Sequence, residues 1–95
     1  MDRHALDIIG ETVRDTLGAD RVADVRATLP GPYEDVPDEI VRIRVVFNGE
    51  RLDPAKTMTL TRLARGRLEK IGSDAFPLFN FVSRIEDEER RAASA

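Results

Sequence analysis

The 95-residue chain has no cysteine and no tryptophan, and it holds only one histidine and one tyrosine. Each shortage removes a class of chemistry. Without cysteine there is no disulfide framework and no thiolate to act as nucleophile or metal ligand, a pattern that fits a cytoplasmic protein. The single imidazole, His4, falls in the first turn of an amphipathic pattern and reads as a solvated side chain rather than a general base. The serines, Ser73, Ser83 and Ser94, fall in a turn, at a strand end and in the tail, so no Ser-His-Asp arrangement is built. The six glycines are scattered as punctuation and form no phosphate-cradling loop. No apolar run approaches the roughly 20 residues of a membrane span. The opening "MDRHALDIIGETV" carries acids and no small-residue cleavage site, so no signal peptide is expected. An excess of positive charge is missing too: 15 Lys and Arg against 18 Asp and Glu leave −3, which disfavours generic nucleic-acid binding.

What is present is a chain 41% apolar and 35% charged, long enough for one small core. Leu6, Ile9, Val13 and Leu17 recur at intervals of three and four, which predicts a helix over residues 3–17, with Asp7, Glu11, Thr12, Arg14 and Asp15 on its solvated side and Gly18 ending it. Ala23, Val25, Ala27 and Leu29 alternate with polar residues, the pattern of a half-buried strand. "PGPYEDVPDE" then interrupts with three prolines and reads as a long loop. In "IVRIRVVF", Val41, Ile43, Val45 and Phe47 share one strand face, and Asn48-Gly49 follows as a turn. Asp53 and Pro54 open a second helix over residues 54–71, with Leu60, Leu63, Ala64, Leu68 and Ile71 as its buried stripe and Gly72 as its stop. Gly66 lies inside that helix, as a packing allowance or a tolerated defect.

Three of the four phenylalanines are gathered in "DAFPLFNF". Pro77 suits the beginning of a strand, and from Leu78 the alternation puts Phe79 and Phe81 on one face and Leu78, Asn80, Val82 and Arg84 on the other. A small core needs its few large residues together, so this cluster reads as core rather than cofactor box. The predicted fold is α+β, a two-layer sandwich of order α-β-β-α-β, with two helices on one face of a three-stranded sheet. Residues 1–85 form the compact domain, and 86–95 a flexible or short helical charged tail, in which Ser83 and Glu86 have capping-box spacing.

On the sheet face away from the helices the alternation gathers Arg26, Arg42, Arg44 and Arg84 with Asp24, Leu78, Asn80 and Val82. Arginine among aliphatic groups suits a protein interface. Asp24 is expected to pair with Arg42 or Arg44 and so help fix the register. The expected function is therefore a small soluble interaction module that self-associates as a homodimer through this face, or docks another protein there. The contact residues are Arg26, Arg42, Arg44, Leu78, Asn80, Val82 and Arg84, and Tyr33 is an anchor at the tip of the acidic loop. A second reading is RNA or polyanion binding by Arg26, Arg42, Arg44 and Arg84, aided by the second helix. Lys56, Arg62, Arg65, Arg67 and Lys70 against Glu69 give that helix +4. This reading lacks the exposed aromatics on which sheet binders stack bases. An enzyme is the third reading, with no catalytic, cofactor-binding or metal-ligating residue to assign. Glu34, Asp35, Asp38 and Glu39 in the loop match no calcium-loop spacing.

Overall fold

The computed structural model describes residues 3–28 and 39–94. Its elements are α1 (Arg3–Leu17), a 3-10 turn (Ala19–Arg21), β1 (Val22–Thr28), β2 (Ile40–Phe47), α2 (Pro54–Lys70), β3 (Phe76–Ser83) and α3 (Arg84–Ser94). The fold is α+β, with a mixed sheet of order β1-β2-β3. β1 and β2 are antiparallel, whereas β2 and β3 are parallel and joined by the α2 crossover that parallel neighbours require. No helix is long and apolar enough to cross a membrane among the described residues.

The core lies between one sheet face and α1 with α2. Ile9, Val13 and Leu17 of α1 meet Ile43 and Val45 of β2 and Leu60 and Leu68 of α2, all buried. Along α2 the buried positions are Leu60, Ala64 and Leu68, a single ridge at four-residue spacing. The stripe is narrower than the sequence predicts: Leu63 lies off this ridge and Ile71 is the C-cap residue, and both are exposed. Thr12, expected on the solvated side of α1, is fully buried beneath α2. Its hydroxyl donates to the Ile8 carbonyl at 2.7 Å and accepts from Arg67 Nη1 at 3.3 Å. Arg67 also reaches Asp15 at 2.9 Å, so one guanidinium ties the two helices together.

Three local features differ from a simple alternation. In β1, Val22 pairs with Phe47 and Asp24 with Val46, so a bulge at Ala23 turns Val22 into the core and leaves Ala23 exposed. Pro77 lies within β3, where it is tolerated because β3 is an edge strand. Of the clustered aromatics, Phe79 and Phe81 pack half-buried against the core with ring centroids 6.1 Å apart, while Phe76 is exposed under the Arg65 guanidinium at 5.8 Å.

The end of α2 is a Schellman motif, with Ser73 N donating to Leu68 O and Gly72 N to Glu69 O, and Gly72 has a φ of 73°. This gives two glycine-to-alanine substitutions of opposite sign. An added Cβ meets nothing within 4 Å at Gly72 or at Gly66. At Gly72 only the backbone penalty acts, and Gly72→Ala should destabilise by about 1–2 kcal/mol. At Gly66, in the helix interior, Gly66→Ala should stabilise by about 1 kcal/mol. Denaturant midpoints of the two variants should move in opposite directions from the parent.

Candidate interaction surface

The sheet face opposite α1 and α2 is built by strand parity and register. Arg26 lies opposite Arg44 across the β1–β2 pair, and Thr28 opposite Arg42. On the other side Arg42 lies opposite Leu78, Arg44 opposite Asn80 and Val46 opposite Val82. This is the set of residues the alternation gathers, with one correction. β3 ends at Ser83, and Arg84 is the first residue of α3, so its exposed side chain is not part of the strand face. Tyr33 and the acids Glu34, Asp35 and Asp38 lie outside the described residues, whereas Glu39 is exposed in the turn before β2.

The face has two halves. One is covered by α3, which packs on β3 and β2 directly after the strand. Ser83 Oγ accepts from Glu86 N at 3.2 Å and starts the helix. Beneath α3, Val46 and Val82 are buried although they point away from the main core. Every described α3 side chain is exposed except Asp87, at 6%. Its carboxylate accepts from Arg26 Nη2 at 3.0 Å and lies 3.3 Å from Arg91 Nε one turn on. Arg26 in turn has Nε 2.7 Å from Asp24. Asp24 thus pairs two residues along its own strand rather than across to Arg42 or Arg44 as expected. A charged chain from Asp24 through Arg26 and Asp87 to Arg91 fastens α3 to the sheet.

The other half is open. Arg42, Arg44, Thr28, Leu78 and Asn80 line a depression of about 310 Å³, with Leu78 46% exposed and Asn80 exposed. The strands place no acid on this half; Asp24, the only acid in the three strands, is engaged by Arg26. Arg44 Nε is buried and has no hydrogen-bond partner among the described residues. Arg21 Nε and Arg26 Nε are buried in the same way, so this nitrogen alone does not single out the site. What does is a half-buried guanidinium on a strand face that carries no acid of its own, beside exposed Leu78 and Asn80.

The basic side chains of α2 do not extend this surface. Arg65 is held by Glu69 at 3.2 Å and the Ala75 carbonyl at 2.6 Å, and Arg67 by Asp15 and Thr12. Among the described residues no cluster of three or more His, Asp or Glu is placed to hold a metal ion. Sequence reasoning missed Asp87 as the fastening point of the covered half. The signals for it were the Asp87–Arg91 spacing of one turn and the Ser83 cap. The chain matches no protein-family model, no curated protein and no solved structure.

Proposed function

We propose that the chain is a small protein–protein interaction module in the cytoplasm, and that the open half of the sheet is its docking surface. The observation that carries this reading is the open depression itself, lined by Arg42, Arg44, Leu78 and Asn80, with Leu78 and Asn80 exposed and no acid contributed by the strands. Such a surface suits a partner segment that offers an acid to the guanidinium and an aliphatic side chain to Leu78. Face-to-face docking of two copies is the less favourable form of this reading, because it sets Arg42 and Arg44 against the same cations of the other chain. RNA binding has weaker support: Arg26 is occupied by Asp24 and Asp87, Arg84 has moved to α3, and Phe79 and Phe81 pack against the core.

A photo-crosslinking residue placed at Asn80 tests the reading in cells that make the full chain. One discrete protein adduct is expected, together with its loss in the Arg44→Glu background and no such adduct from a crosslinker at exposed Arg62 on α2. A smear of adducts from position 80, or a discrete adduct indifferent to Arg44→Glu, argues for a bland surface. Adducts that carry RNA instead of protein would move the assignment to the polyanion reading.

A further inference from the structure

The outer edge of β1 is a second feature of the sheet, and it uses none of the residues that line the open half. β1 is an edge strand, and β2 is its only strand neighbour among the described residues. The other edge strand, β3, is blunted by Pro77, which has no amide hydrogen to offer a further strand. β1 contains no proline, and its bulge is confined to the start of the strand. The Val25 amide is spent on a neighbouring side chain, donating to Asp24 Oδ1 at 3.0 Å. Beside this edge the core is incompletely closed. Leu6 and Val25 are half-buried, and with Gly10 they line an open groove of about 350 Å³ between α1 and β1, rimmed by Asp7, Glu11 and Arg14.

We propose that a second copy of the chain pairs with this edge, β1 to β1 and antiparallel, about a two-fold axis at Val25. The charges select that register. Centring on Val25 places Asp24 of each chain opposite Arg26 of the other, two reciprocal opposite-charge pairs on one face. Centring on Arg26 would set arginine against arginine, and centring on Asp24 would set aspartate against aspartate. On the core-side face Val25 meets its copy, and the small Ala27 meets Ala23 of the other strand, both exposed in the single chain. The Val25 amide exchanges Asp24 Oδ1 for a backbone carbonyl, which frees that oxygen for the incoming guanidinium while Oδ2 stays with Arg26 of its own chain. The same axis sets the two α1 rims antiparallel, directing Asp7 of one chain toward Arg14 of the other. The product is one six-stranded sheet with both open arginine-bearing halves on the same side.

Sedimentation of the full chain over the micromolar range tests this. The parent should show a reversible monomer–dimer equilibrium. Asp24→Lys and Arg26→Glu should each weaken it by about tenfold or more, because both reciprocal pairs turn from attraction to repulsion. Arg26→Glu also loses the contact to Asp87 and loosens α3, a change within one chain that mixing does not reverse. An equimolar mixture of the two variants should restore the dimer, since the introduced lysine then faces the introduced glutamate and the native Arg26–Asp24 pair remains. A variant that had merely failed to fold is not rescued by mixing. In the parent, hydrogen exchange at the Val25 and Ala27 amides should slow with rising concentration. A parent that stays monomeric, a dimer indifferent to Asp24→Lys, or folded variants that mixing does not rescue would each overturn the proposal. So would Val25 and Ala27 exchange that ignores concentration. Leu78, Asn80 and Arg44 are unchanged throughout, so failure here leaves the docking reading intact, and loss of the Asn80 adduct leaves this one intact.

Discussion

Ile43→Ala is expected to destabilise the chain by about 2–5 kcal/mol. Ile43 is 1% exposed at the centre of the middle strand, between Ala27 of β1 and Phe79 of β3, and it faces α1 and α2. Removing its outer carbons leaves a cavity that a sheet paired on both sides cannot collapse to fill. A small domain has only about 5–15 kcal/mol of stability in total. The denaturant midpoint should therefore fall far, with an unchanged slope if the unfolded state is unaffected. Ile85→Ala is the control: Ile85 is 62% exposed on α3, and its loss should stay within about 0.5 kcal/mol. Equal effects at the two positions would mean that the core is not where the packing of β2 puts it.

The second large effect is local. Asp87→Ala removes the one buried side chain among the described side chains of α3 and the acceptor shared by Arg26 and Arg91. A hydrogen bond to a charged group contributes about 1.5–3 kcal/mol, and no apolar side chain of α3 among the described residues is itself buried to replace it, although α3 covers Val46 and Val82. Hydrogen exchange in α3 should accelerate correspondingly while that of β2 stays slow, a sub-global opening rather than unfolding. Asp87→Asn retains the shape and one acceptor, so it should fall between the parent and the alanine variant. Unchanged protection in α3 would show that the helix is held by something other than this carboxylate.

Most of the fold was legible because its signals are local and redundant. The four-residue spacing of Leu60, Ala64 and Leu68, the Asp53 cap and the Gly72 stop all specify α2, and the cap is made as expected, Asp53 accepting from Ala55 N at 3.0 Å. The inward placing of Ile43, Val45, Phe79 and Phe81 follows from period-two alternation alone. What alternation could not give was the bulge at Ala23, because a one-residue insertion depends on pairing with Phe47 and Val46 rather than on composition. Nor did it give the burial of Thr12, which a neighbouring helix imposes.

The candidate surface was half legible. Arg42, Arg44, Leu78 and Asn80 come together as parity requires. Val82 and Arg26 do not join the open surface, because α3 covers the first and Asp87 engages the second. An apolar stripe is the usual sign of a docked helix, and α3 docks without one. Its one buried side chain among the described residues is a carboxylate that resembles its solvated neighbours Glu86, Glu88 and Glu89 until the partner strand is in place, and the apolar groups it covers, Val46 and Val82, belong to the sheet.

A chain without cysteine allows single introduced thiols to report single positions, which makes thiol labelling the most direct measurement of the docking surface. In the purified protein, Leu78→Cys and Asn80→Cys should react at nearly the rate of a free thiol, whereas Val46→Cys and Val82→Cys stay protected beneath α3. In intact cells the first two should become protected while Arg62→Cys on α2 stays reactive. Positions 78 and 80 already shielded in the isolated chain, or as reactive in cells as position 62, would contradict an open face awaiting a partner.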